Sequence, residues 1–193
     1  MKIITLNREY GAGGHSVGIT VAKRLGIEFY DRDILAALAK ERGIDISDAK
    51  DVSEDISVTE NILRAITPIS YNPTEEIFEQ QREFLLKIAS KGSCVILGRC
   101  ANVILREAGF DTLDVFIYAD DAHRMNRVSE LIGSDRLKDV LKEIRRKDYS
   151  RRNFYKSCTG HNWADCRDYH MMLDSGLLGY DRCIDLIVEA AKQ

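Results

Sequence analysis

Near the N-terminus an apolar segment, IITL (3–6), runs into NREYGAGGHSV (7–17) and then into the periodic start of a helix. A glycine cluster between a buried strand and a helix brings backbone N–H groups onto an anion. The helix N-terminus adds about half a positive charge at the same point. A full phosphate loop reads GxxxxGK[ST], with its lysine reaching the outer phosphates. Counted without gaps from the strand, the lysine position falls on Gly14, followed by His15 and Ser16. Three readings stay open at this stage. The cluster is a plain tight turn, or it begins a dinucleotide-binding GxGxxG, or it is a mononucleotide loop. In the dinucleotide form Gly11 and Gly13 lead, Ser16 takes the third position, and Asp31 stands where a ribose-binding acid belongs. In the mononucleotide form the Ser16 hydroxyl lies near a magnesium ion.

Strand and helix patterns alternate along the chain. Val17, Val21, Ala22 and Leu25 share one face of a helix that ends near Gly26. IEFY (27–30) is a second strand, and a helix follows over 31–41. Residues 44–74 are polar, carry both prolines and interrupt the alternation as an inserted segment. A long helix is predicted over 74–91, with Ile77, Phe84, Leu85 and Ile88 as its apolar side. CVIL (94–97) and LDVFIY (113–118) are unbroken apolar runs, as expected for strands buried on both faces. Further helices are predicted over 120–132 and 135–156, a weaker strand at YHMML (169–173), and a closing amphipathic helix over 180–192. Five such strands imply an α/β fold with a five-stranded parallel sheet covered on both sides and ligands at the strands' C-terminal ends.

With 193 residues the chain has material for one sizeable core, and its 45% hydrophobic and 31% charged content is that of an ordinary globular protein. A net charge of −3 offers no general case for nucleic acid or an anionic membrane as a partner. No run of 18 apolar residues occurs, so no membrane span is expected. The five cysteines (94, 100, 158, 166 and 183) form no CxxC pair and suit reduced thiols, which makes the cytoplasm the expected compartment. Charge is uneven. Residues 45–60 hold six acids against Lys50, and residues 142–156 hold seven bases against Glu143 and Asp148.

Two further features carry chemistry. Gly98-Arg99 follows CVIL directly, so a planar guanidinium stands at the C-terminal end of a central strand, where its fork suits phosphate oxygens. In the basic stretch, Arg145, Asp148, Arg151 and Arg152 recur at helical spacing. A phosphoryl group in transfer spreads charge over three oxygens, and one well-placed arginine is worth roughly 10³–10⁵ in rate. The plainer reading of both is ordinary ion pairing. His123, His161 and His170 have no metal-ligand spacing, and Trp163 either stacks on a base or anchors a loop.

Taken together, REYGAGG (8–14), LGIEFYDRDIL (25–35), VILGRCANVIL (95–105), FIYADDAHRMNRV (116–128), DYSRRNFYKSCTGHNW (148–163) and DYHMMLDSGLLGYDRCIDLI (168–187) resemble the cytidylate kinase-like family of P-loop kinases over nearly the whole chain. The resemblance implies a single kinase-like domain over 1–193, a three-layer sandwich with an acceptor-covering insert about 44–91 and a helical lid about 135–167. It implies ATP as co-substrate, Mg²⁺, and phosphoryl transfer to a nucleoside monophosphate such as CMP or dCMP, or to a similar small acceptor. The ATP phosphates would lie on Arg8, Gly11, Ala12, Gly13, Gly14, His15 and Ser16, with Ser16 also near the metal. Asp31 and Arg99 would serve the acceptor, and Arg145, Asp148 and Arg151 the transfer. Family loops read SGSGKGT where this chain has YGAGGHS, and family GRD becomes Gly98-Arg99-Cys100. Arg8 is the better stand-in for the lost lysine, since a helix N-terminus disfavours a protonated His15. A nucleotide-binding protein without transferase activity and a dinucleotide-binding protein are the alternatives.

Overall fold

The computed structural model describes residues 2–31 and 73–193. The helix expected over 31–41 and nearly all of the polar insert lie outside the described residues. Five strands form one parallel sheet: β1 (Ile3–Arg8), β2 (Glu28–Tyr30), β3 (Cys94–Leu97), β4 (Thr112–Tyr118) and β5 (Met171–Asp174), in the order β2-β3-β1-β4-β5. The helices are α1 (Gly14–Leu25), α2 (Pro73–Ala89), α3 (Ala101–Glu107), α4 (Asp121–Ile132), α5 (Leu137–Thr159), α6 (Ser175–Leu178) and α7 (Tyr180–Ala190), with a short 3₁₀ turn over Cys166–Asp168. The strand order puts β1 at the centre, so its C-terminal end opens between β3 and β4.

The period-two alternation of the strands divides the core. Ile4, Leu6, Val95, Leu97, Val115 and Ile117 face α1 and α7 in one buried cluster. Ile3, Ile96 and Phe116 face the other way, onto Phe84, Leu85 and Ile88 of α2, the buried residues of α3, Tyr155 of α5 and Trp163. The result is three layers, helix–sheet–helix, as the sheet prediction required. A third, smaller cluster of Val128, Val140 and Ile144 packs α5 against α4 beyond the strand ends.

CVIL is a strand over the residues expected, and Gly26 ends α1 in the left-handed conformation with φ 67°. Helix α3 has no counterpart in the sequence prediction. Ala101 through Leu105 are all buried, so no polar face exists to mark a helical period. Trp163 anchors its loop. Its ring meets Phe116 edge-on at 5.2 Å, and its carbonyl accepts from the Tyr169 hydroxyl at 2.6 Å. His161 pairs with Asp168 at 2.9 Å and His170 Nδ1 accepts from the Asp114 backbone N–H at 2.9 Å, so both hold structure together. Among the described residues, no helix is long and apolar enough to cross a membrane.

Candidate phosphate-binding site

The chain leaves β1 through Arg8–Gly13 and enters α1 at Gly14. Gly11 and Gly13 adopt φ 88° and 76°, which L-residues reach only under strain. Space is equally tight. A Cβ on Gly11 would meet the Arg124 carbonyl oxygen at 2.9 Å, and one on Gly13 would lie 2.3 Å from the Tyr180 ring. Gly13 is the N-cap of α1 and supplies no side-chain cap, so among the described residues no side chain caps the first-turn N–H groups of Gly14, His15 and Ser16. They open onto a cleft of about 270 Å³ that is lined by the loop together with Arg8, Glu9, Asp31, Arg127, Lys147 and Arg151. Four of those six side chains are cationic, and the helix dipole adds to the same sign.

The loop is held from outside. Asp148 of α5 accepts the Tyr10 backbone N–H at 2.8 Å. Its other oxygen pairs with Arg124, whose Nε donates to the Tyr10 carbonyl at 2.9 Å. Arg124 also lies 3.3 Å from Glu9, and Arg151 donates to the Arg8 carbonyl at 3.0 Å while its guanidinium sits 5.5 Å over the Tyr10 ring. Burial raises the Glu9 carboxyl above the ordinary value, and the adjoining Arg124 charge only partly offsets it. Both backbone groups of Tyr10 are thus taken by side chains of α4 and α5.

The expected site residues are distributed as follows. Arg8, Gly11, Gly13, Gly14, His15, Ser16, Asp31 and Arg151 line the cleft, and Ala12 lies buried beneath the loop. His15 Nδ1 is 2.7 Å from Asp31, so these two neighbours engage each other across the mouth of α1. The Arg8 side chain runs over Gly14 and on to Gly98. A Cβ at Gly14 would stand 2.6 Å from its Cβ and Cγ, and one at Gly98 would be 2.7 Å from its Nη1. Arg99 lies at the end of β3, outside this cleft's lining, in a turn where Gly98, Arg99 and Cys100 are all left-handed (φ 74°, 60° and 56°). Its carbonyl accepts from the buried Gln81 side chain at 2.8 Å.

Arg145 is exposed on α5 and does not line the cleft, and Asp148 is engaged by the loop and Arg124 rather than directed at a ligand. Lys147 occupies the cleft-facing position instead. The sequence reading set the phase of this helix by its charges. Its apolar residues Val140 and Ile144 continue by steps of three and four to Lys147, Asp148 and Arg151, and that stripe is the inward one. Glu9, Tyr10 and Arg124 were also passed over, because each acts through a backbone group or a pairing that no spacing reveals. Among the described residues, no group of three His, Cys, Asp or Glu side chains could hold a metal.

A parallel sheet of this order, with a glycine loop at the end of its central strand, is a P-loop kinase fold. Shikimate kinase from Bacteroides thetaiotaomicron shares it with a TM-score of 0.56 over 100% of this chain and 99% of that one, at 13% identity. An uncharacterized protein from Eubacterium ventriosum reaches a TM-score of 0.74 over 100% and 99%, at 24% identity. Sequence comparison narrows the class. The model of the cytidylate kinase-like family matches residues 3–177, and the chain belongs to that family. It is similar to the cytidylate kinases of Archaeoglobus fulgidus (24% identical, covering 98% of this chain and 94% of that one) and Aeropyrum pernix (23%, 95% and 95%).

Proposed function

We propose that the chain transfers the γ-phosphate of ATP to a nucleoside monophosphate of the CMP or dCMP type, or to a similar small phosphate acceptor. One observation carries this reading: the glycine loop, the open N-terminus of α1, Asp31 and the basic face of α5 meet in a single cationic cleft at the C-terminal end of the central strand. A dinucleotide site has no use for α5 there. Family membership and the kinase-fold neighbours support the same direction.

In this reading the N–H groups of the loop and of α1 bind the β- and γ-phosphates, and Arg8 spans from the loop to the end of β3, between donor and acceptor. Arg99 anchors the acceptor's phosphate. Arg151 approaches the phosphoryl group in transfer, while Asp148 positions the loop for it. Catalysis of this kind needs little beyond in-line placement and charge neutralisation. The Ser16 hydroxyl and the Asp31 carboxylate line the same cleft and suit Mg²⁺, a hard cation that takes a few protein oxygens and completes its shell with phosphate and water. When bound, that ion neutralises charge on the β- and γ-phosphates. All five cysteines are free thiols, which supports a reducing compartment such as the cytoplasm.

The test is a melting-temperature series with Mg-ATP, CMP, dCMP, UMP and NADH, coupled to an ADP-release assay on the same monophosphates. A ligand at about 100 times its Kd adds roughly 2.7 kcal/mol, several degrees for a chain of this size. Stabilisation by Mg-ATP and a pyrimidine monophosphate, with ADP release dependent on that monophosphate, is the expected result. ATP binding without turnover over the panel would favour a nucleotide-binding protein that has lost transfer, and stabilisation by NADH alone would overturn the reading.

A further inference from the structure

The loop's lysine position is closed for a structural reason. Arg8 lies across Gly14, so that a Cβ there would be 2.6 Å from two of the arginine's carbons. A lysine at residue 14 would first have to displace Arg8. The charge has another route into the cleft. Lys147 is buried, which is rare for lysine, and it lines the cleft with Gly14, Ser16 and Arg151 although it belongs to α5. Its neighbours on that helix face fix its place. Asp148 is bonded to Tyr10 N–H and Arg151 to the Arg8 carbonyl, so α5 is fastened to the phosphate loop at the residue after Lys147 and again one turn further on.

We infer that Lys147 is the phosphate-site lysine of this chain, supplying from helix α5 the ammonium that phosphate loops ordinarily carry at the position held here by Gly14. The inference rests on the ATP-dependent reading above and adds to it a residue that the sequence reading did not name. An ammonium carried on α5 reaches the phosphates only while that helix is fastened to the loop. Loop shape and loop charge therefore depend on the same contacts.

The experiment uses the full chain and three variants. Lys147→Met keeps the stem and removes the charge, Lys147→Arg keeps the charge, and Lys142→Ala removes an exposed lysine of the same helix as control. Affinities for Mg-ATP, inorganic tripolyphosphate and adenosine are measured by calorimetry, with turnover and melting temperature alongside. The expected result for Lys147→Met is at least about a tenfold loss of affinity for ATP and tripolyphosphate and unchanged affinity for adenosine. Turnover falls by about 10²–10³, as for removal of one preorganised donor at a developing charge. Lys147→Arg recovers part of both losses, and Lys142→Ala matches the wild type. Wild-type ATP and tripolyphosphate affinity in a folded Lys147→Met would overturn the inference and leave the kinase reading standing. A wild-type chain that binds neither phosphate compound would overturn the kinase reading, and this assignment with it.

Discussion

Two turns leave the sheet side by side, one from β1 and one from β3, and both reach positive φ by different means. After β1 the left-handed positions are Gly11 and Gly13. After β3 only Gly98 is a glycine, and Arg99 and Cys100 follow in the same region. A left-handed non-glycine residue costs roughly 1–3 kcal/mol and persists where its surroundings hold it. Gln81 does so here through the Arg99 carbonyl, and the Cys100 side chain is buried. The difference separates two tools. Where backbone N–H groups meet a ligand, a side chain obstructs and glycine is required. Where the group proposed to act is the side chain itself, as at Arg99, the left-handed backbone is held by its surroundings.

The largest effect should come from releasing the first turn from its support. Asp148→Ala takes from Arg124 its more buried partner, leaving it Glu9, and takes from the Tyr10 N–H its acceptor. Breaking such a pair from one side costs about 3–5 kcal/mol. Chemical denaturation should read a loss in that range, and ATP affinity should fall with it. A loss below about 1 kcal/mol would mean that the glycines shape the loop unaided. Next is Gly13→Ala, where a Cβ meets the Tyr180 ring and φ is 76°. The backbone term and the overpacking together cost about 2–4 kcal/mol, and nucleotide binding should be lost even at temperatures where the variant remains folded.

At the second turn the same kind of change should run the other way. Arg99→Gly relieves left-handed strain while adding freedom to the unfolded chain, so stability should stay within about 1 kcal/mol of wild type. Affinity for the monophosphate acceptor should nevertheless drop at least about tenfold, with ATP affinity intact. A variant that binds the acceptor normally would remove Arg99 from the site. The smallest effect concerns pH at the first turn. Because burial raises the Glu9 carboxyl, the folded state holds that proton more tightly than the unfolded one. Glu9 therefore contributes most to stability below its unfolded value of about 4.3, and the contribution is lost as pH rises through the folded value. The stability of wild type minus that of Glu9→Gln should decline with rising pH over that window, measured by denaturant titration at successive pH values. A flat difference would show that Arg124 compensates the burial fully.

How far the sequence speaks depends on whether position or context defines a group. The central strands were legible because burial on both faces writes itself as CVIL and LDVFIY. Gly11 and Gly13 were legible because nothing else fits. Helix α3 was not, since its first five residues are all buried and leave no period to read. Lys147 was concealed in a run of seven bases whose charges suggest one helical phase and whose apolar neighbours, Val140 and Ile144, dictate another. Nor does any glycine announce the left-handed residues at Arg99 and Cys100. Arg8 was legible as a cation near the loop, but its path over Gly14 is a property of packing alone.

The hold that α4 and α5 have on both backbone groups of Tyr10 has an evolutionary side. A loop whose geometry resides in its own residues can change its chemistry only at the risk of its form. Here the form is stored largely in two neighbouring helices, as a mould stores the shape of a casting. The loop's form is thus shared between the helices that hold Tyr10 and the left-handed glycines 11 and 13, which admit no side chain.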